Sequence, residues 1–350
     1  LAGARLFAGA HLRAGARFLI GLLLTGCLAN PLAAADFAVV QGMFFSGRYQ
    51  EATTLAAEQV VAGIWNERWP RLLIDCHLAT GDYGAALETY KAAMKRYPTS
   101  LTLRMKGLEV LRRSHLPLEA AEAKGQILLL LQSSRSRFAS RDNLIAAGRY
   151  FVDHGEDAKK VLNLFYDRVR EADPSFLEAY IATAELALDK GDFKVAADTL
   201  QAAERAQAIA AQTKGTESVD PRIKYLLARA WQASDSEKAT AALQQALEQN
   251  PNHAPSLLFQ AEALIDREQY ELAAEIITRV LSVNVHDQEA WALLAVLAHL
   301  RGEYEIEALM RAAALSTWAE NPRVDHLIGL KLSQKYRFED GAGRPDDDDE

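Results

Sequence analysis

The chain has 350 residues, with 39 basic and 47 acidic side chains and a formal net charge of −8. Apolar residues make up 49% and charged residues 25%, globular proportions that exclude wholesale disorder. The acidic balance argues against a protein that coats nucleic acid, and two cysteines are too few for a disulfide framework or a four-ligand zinc site.

Residues 1–35 read as a secretory signal. They hold no acid and three arginines, Arg5, Arg13 and Arg17, followed by the apolar run Phe18 to Leu24. Two processing readings compete. Leu24-Thr25-Gly26-Cys27 fits a lipobox, with lipid added to the Cys27 thiol. Ala33-Ala34-Ala35, just after the helix-breaking Pro31, fits ordinary cleavage before Asp36. The residues after Cys27 are apolar rather than a polar tether, which favours cleavage after Ala35. The expected location is the periplasm or cell envelope, with membrane attachment only if Cys27 is lipidated. Cys76 is then the remaining thiol, expected to be buried and inert.

A 34-residue period runs through the rest. Gly47-Arg48-Tyr49 returns as Gly81-Asp82-Tyr83, and the signal recurs at Gly191-Asp192-Phe193 and Gly302-Glu303-Tyr304. Glu268-Gln269-Tyr270 lies 34 residues before the last of these. Alanine follows five residues after the turn position, at Ala52, Ala86, Ala196 and Ala273, with Ala120 and Ala239 in the corresponding degenerate slots. Each mark has a physical role. A glycine ends one helix with positive φ, the aromatic packs at the start of the next, and the small alanine lets the two helices approach. Apolar residues between the marks keep helical spacing and nowhere alternate as in strands.

These residues make the chain resemble the tetratricopeptide repeat (TPR) family. The best matching unit runs from Gln288 to Pro322, through Trp291, Leu294, Ala295, Gly302, Tyr304 and Ala314; it departs at Glu307. The resemblance implies an all-α fold, a right-handed superhelical solenoid of helix-turn-helix repeats. The expected organisation is the signal (1–35), N-terminal units (36–132), a linker (133–140), irregular and C-terminal units (141–342) and a disordered acidic tail (343–350). The helix of the fifth unit is expected to overrun to about Gln212. Asp325 to Lys335 is expected to be a first helix, with 336–342 turning into an unfinished second one.

No phosphate loop, nucleophile elbow or zinc-helix motif occurs, so no catalytic, cofactor-binding or metal-ligating residue is assigned. His286 and Glu289 share a helix face but lack a third ligand. The family resemblance implies that a partner lies along a concave groove lined by the first helix of each unit. Alignment places Arg71, Asp75, Lys224, Trp231, Leu258, Glu262, Ile265, Val296 and His299 there. This mix of apolar and acidic groups suits an amphipathic or extended peptide. Trp231 is either an exposed anchor or a packing residue between units. The expected function is an exported, non-catalytic scaffold for a protein or peptide, with no cofactor. The alternative is the helical front of a larger secreted protein, since the array also resembles bacterial chains in which such repeats precede a zinc metallopeptidase-like domain.

Overall fold

The computed structural model describes residues 35–133, 139–214 and 219–342. The signal segment, Cys27, most of the linker and the acidic tail lie outside the described residues. Among the described residues there are helices and no strands. They form successive pairs: α1 (Phe37–Phe45) with α2 (Tyr49–Val61), α3 (Arg68–Thr80) with α4 (Tyr83–Arg96), and α5 (Leu101–Arg113) with α6 (Pro117–Ser133). Next, α7 (Arg141–Asp153) faces a second helix made of α8 (Ala158–Val161), a π-helical turn (Leu162–Tyr166) and α9 (Asp167–Ala172). There follow α10 (Leu177–Asp189) with α11 (Phe193–Lys214), α12 (Pro221–Trp231) with α13 (Ser236–Gln249), α14 (Ala254–Asp266) with α15 (Tyr270–Val283), and α16 (Gln288–Leu300) with α17 (Tyr304–Ala314). A single helix, α18 (Pro322–Ala342), comes last.

The sequence marks act as their chemistry requires. In the second pair Gly81 adopts φ +78°, and Asp82 then accepts a hydrogen bond from the Ala85 N–H (3.0 Å) to cap α4. Ala52, Ala86, Ala196 and Ala273 are fully buried where the helices of a pair meet. The long helix foreseen in the fifth pair is α11, which ends at Lys214. In the irregular fourth pair the π-helical turn carries Tyr166 inward against α7. Its ring lies 2.3 Å from where a Cβ on Gly148 would stand, so that position has no room for a side chain.

Two of the units that lack the turn glycine keep the same backbone conformation. His115, 34 residues after Gly81, has φ +57°, and Glu268, 34 before Gly302, has φ +61°. A non-glycine residue there is strained by roughly 1–2 kcal/mol. His115 is exposed, so its side chain returns little. His115→Gly is therefore expected to stabilise the protein by roughly 0.5–1 kcal/mol after the entropy that glycine adds to the unfolded chain. Urea midpoints measure this, and a lower midpoint would contradict it.

The array also touches itself far along the chain. The Tyr49 hydroxyl accepts from Asn250 Nδ2 (3.1 Å) and donates to the Asn252 carbonyl (3.3 Å). The Tyr83 hydroxyl accepts from Asn284 Nδ2 (3.3 Å) and donates to the His286 carbonyl (3.4 Å). The second set is the first moved along by one repeat. Each asparagine is bent back by its own turn, since Oδ1 accepts from the Asn252 N–H (2.9 Å) or the His286 N–H (3.0 Å). The glycines before the tyrosines make room: a Cβ on Gly47 or Gly81 would stand 2.3 or 2.2 Å from the asparagine Oδ1. Further along the same edge, the Arg112 guanidinium lies 5.4 Å from the Trp318 ring centre. The loops after the sixth, seventh and eighth pairs thus lie under the turns of the first three.

The C-terminal end departs from expectation. No turn forms at 336–342; α18 continues unbroken, because residues 330–340 contain no glycine or proline to stop it. One face of α18 is packed: Val324 and Ile328 are buried in one cluster with Leu293 and Val296 of α16. Helix α17 is left uncovered, with Tyr304 64% and Leu309 69% exposed. Tyr304 therefore does not pack as Tyr49 and Tyr83 do, since no loop docks on its turn.

Candidate partner-binding surface

The first helices of the pairs stand side by side, and their polar side chains form a wall laced by ion pairs. Asp75 of α3 meets Lys106 of α5 (2.6 Å), and Arg71 of α3 reaches Asp142 of α7 (3.3 Å). Glu178 of α10 lies between Arg149 of α7 (2.8 Å) and Arg222 of α12 (2.8 Å). Arg149 also meets Glu185 (2.9 Å), and Arg222 meets the buried Asp220 (2.6 Å). Arg323 of α18 pairs with Glu289 of α16 (3.6 Å). Glu262 of α14 accepts Lys331 of α18 (3.1 Å).

The charges hold one another. Burial works against the Glu178 carboxylate, but Arg222 and Arg149 outweigh it and keep the group well below its ordinary range. Burial likewise opposes the Lys106 charge, and Asp75 and Glu109 more than restore it. Asp287, which caps α16 by accepting from the Ala290 N–H (2.9 Å), is raised by burial despite Arg113.

Of the residues placed in the groove by sequence, Arg71, Asp75 and Glu262 stand on this wall, each with a partner on another unit. Lys224 pairs with Glu204 of α11, and His299 Nδ1 lies 2.8 Å from Glu307 of its own pair. Trp231 is half-buried against the cluster of Ile223, Leu227 and Leu200, so much of the ring is packing surface. Leu258, Ile265 and Val296 are buried in the core between α14, α15 and α16 and do not line a groove. They face neighbouring helices, where apolar spacing alone could not separate a core column from a wall column. The sequence reading missed Arg149, Glu178, Arg222 and Lys331. Its available signal was opposite charge at the same helix position in consecutive units. This shows plainly for Glu289 and Arg323, 34 apart, but Glu178 and Arg222 are 44 apart because α11 is long.

Among the described residues no three His, Cys, Asp or Glu side chains could hold a metal, and no helix is long and apolar enough to cross a membrane. His286 and Glu289 do not converge: His286 lies against the Tyr83 ring and Glu289 pairs with Arg323. Cys76 is buried, and burial pushes its thiol up to about 12, which leaves it protonated and unreactive.

One buried histidine makes stability depend on pH. His253 lies beside Ser256 Oγ (2.7 Å), and burial pushes its imidazole from the ordinary 6.5 down to about 4, with Asp220 opposing and Arg222 adding. The unfolded chain takes up this proton first as pH falls. Stability is therefore whole above pH 6.5 and declines toward pH 4, by up to about 3 kcal/mol in the limit. Urea midpoints between pH 7.5 and 4.5 should fall in the wild type and stay flatter in His253→Asn. Parallel curves would assign the loss to other groups.

Repeated helical pairs with a glycine turn, a buried alanine and an aromatic at the second helix define an all-α repeat array. Two family models described as tetratricopeptide repeat match residues 181–254 and 230–297. The stretch from 181 to 297 is thus one of tetratricopeptide repeats. No curated protein matches the sequence. The crystal structure of the APC/C hetero-tetramer Cut9–Hcn1 is similar over 84% of this chain, with 12% identity and a TM-score of 0.52; the chain spans 55% of that relative's length. A tetratricopeptide repeat protein from Parabacteroides merdae is similar over 81% of this chain and 98% of its own, at 17% identity and a TM-score of 0.47.

Proposed function

We propose that the protein is an exported scaffold that holds a protein or peptide segment along the wall of its first helices, without catalysing a reaction. The observation that carries this reading is the wall itself. Arg71, Asp75, Lys106, Arg149, Glu178 and Arg222 come from five successive first helices, and each keeps between a quarter and two fifths of its side chain in contact with solvent. Paired charges that remain reachable can exchange a neighbour for a partner's group, and the exposed part of Trp231 offers an apolar contact beside them. Photocrosslinkers placed at Asp75 on the wall and at Lys91 on the outer helix α4 test it. Crosslinking in the envelope fraction should trap one partner from position 75 only. Equal trapping from both positions, or none from position 75, would sink the idea.

Export is part of the same proposal. Asp36 caps α1 by accepting from the Ala38 N–H (2.9 Å), so the first helix begins where cleavage after Ala35 would leave the chain. N-terminal sequencing of the exported protein should give Asp36-Phe37-Ala38. A lipidated Cys27 terminus would overturn that site and place the protein on a membrane.

A further inference from the structure

The last helix touches the wall more deeply than a next neighbour needs to. Besides α16, it reaches back to α14, two pairs earlier. Lys331 is buried, and its Nζ lies 3.1 Å from Glu262 Oε2 and 3.1 and 3.2 Å from the two carboxylate oxygens of Asp266. Lys335 pairs with Glu268, in the turn that follows. Val324 and Ile328, seven and three residues before Lys331, fill the space over Leu293 and Val296. Three side chains on one helix face thus meet two apolar positions and one acidic pair.

We propose that α18 is an internal ligand of the wall over α14 and α16. The partner bound there is then an amphipathic helix that presents two apolar residues four apart and a lysine three residues further on. This rests on the scaffold reading and adds the partner's chemistry to it.

Charge argues for the lysine. Glu262 and Asp266 are four apart on α14, so their carboxylates face each other. Lys331 is the cation that both of them meet within 4 Å among the described residues. Take α18 away and two like charges remain side by side with Glu289 nearby. The site therefore requires a cation from whatever covers it.

Attachment argues for exchange. Only one face of α18 is held: Leu330 is exposed on the other, and α17 is left largely uncovered alongside. Just before the helix Asn321 Nδ2 donates to Gln288 Oε1 (2.6 Å), and Arg311 meets Asp325 (2.8 Å), so its start is tied to α16 and α17, while Lys331 and Lys335 make the polar contacts of its later half. Release of those two lysines would let the helix swing from its N-terminal attachment.

The test uses the full chain and a fluorescent peptide of residues 320–342. In the wild type, α18 competes with the peptide. In the Lys331→Glu chain the wild-type peptide should bind at least tenfold more tightly, by anisotropy. A peptide carrying Lys331→Glu should bind that chain at least tenfold more weakly than the wild-type peptide. Equal binding of the wild-type peptide by both chains would overturn the proposal. A second measurement needs no variant. Hydrogen exchange of the wild-type chain should show amides 324–331 opening at least 100-fold faster than those of 290–298. If both open only with global unfolding, α18 is a fixed part of the fold and the proposal fails. Neither readout depends on capturing a foreign partner, so failure of the scaffold reading would appear separately, in the crosslinking at Asp75.

Discussion

Gly81→Ala is expected to destabilise the protein by roughly 2–4 kcal/mol, and Gly302→Ala by only roughly 1 kcal/mol. Both glycines hold the same left-handed turn, with φ of +78° and +76°. Alanine there costs roughly 1–2 kcal/mol in the fold, part of which is offset by its stiffer unfolded chain. Around Gly302 nothing lies within 4 Å of the added carbon. At Gly81 the carbon would stand 2.2 Å from Asn284 Oδ1. That side chain cannot step aside without releasing the His286 N–H and breaking its bond to the Tyr83 hydroxyl, which keeps the His286 carbonyl and Arg113. Losing the two asparagine bonds adds roughly 1–3 kcal/mol. Urea melts of the two variants measure the difference, from which the shared backbone strain cancels. Equal losses would mean that the second and seventh pairs do not meet in solution.

Glu178→Gln is expected to be the most damaging change on the wall, at roughly 2–4 kcal/mol. The amide cannot balance Arg149 and Arg222, which would then face each other across it. Removing one member of a fully buried pair costs roughly 3–5 kcal/mol; partial exposure and the remaining partners Glu185 and Asp220 reduce this. Acid should mimic the substitution. The folded carboxyl lies below its ordinary value of 4.5, so its contribution is complete above that pH and is lost as pH falls further. This window begins at the acid end of the one set by His253. An unchanged melt in Glu178→Gln at pH 7, with the wild type measured alongside, would show that the charges are independently solvated.

The fold was legible because each repeat carries its own local instructions. Gly81, Asp82, Tyr83 and Ala86 set a turn, a cap, a ring and a close approach within six residues, and such marks survive even where neighbouring units are degenerate. His115 and Glu268 were harder, since only their spacing reveals a left-handed turn on residues that do not favour one. The wall was half legible. Arg71, Asp75 and Glu262 fell on it by alignment, while Leu258, Ile265 and Val296 fell in the core, because a rotation of one helical position exchanges the two. The course of α18 could not be foreseen by repeat logic, which expects a turn after about a dozen residues and sees no reason for a lysine to be buried. The contact of Tyr49 with Asn250 left no local trace either: an asparagine after a helix reads as an ordinary cap until its distant partner is known.

That contact has a consequence for how such a chain can change. Arrays of stacked units ordinarily gain or lose a unit with little penalty, because each unit meets only its neighbours. Here Tyr49 and Tyr83 find Asn250 and Asn284 at the same offset of 201 residues, so the number of units between them is locked. Deleting one intervening pair would bring a different loop under each tyrosine, and inserting one would carry the asparagines past. Contacts so distant in sequence also form late, after the intervening helices have stacked, so both edges of the array gain their last protection in the same slow step.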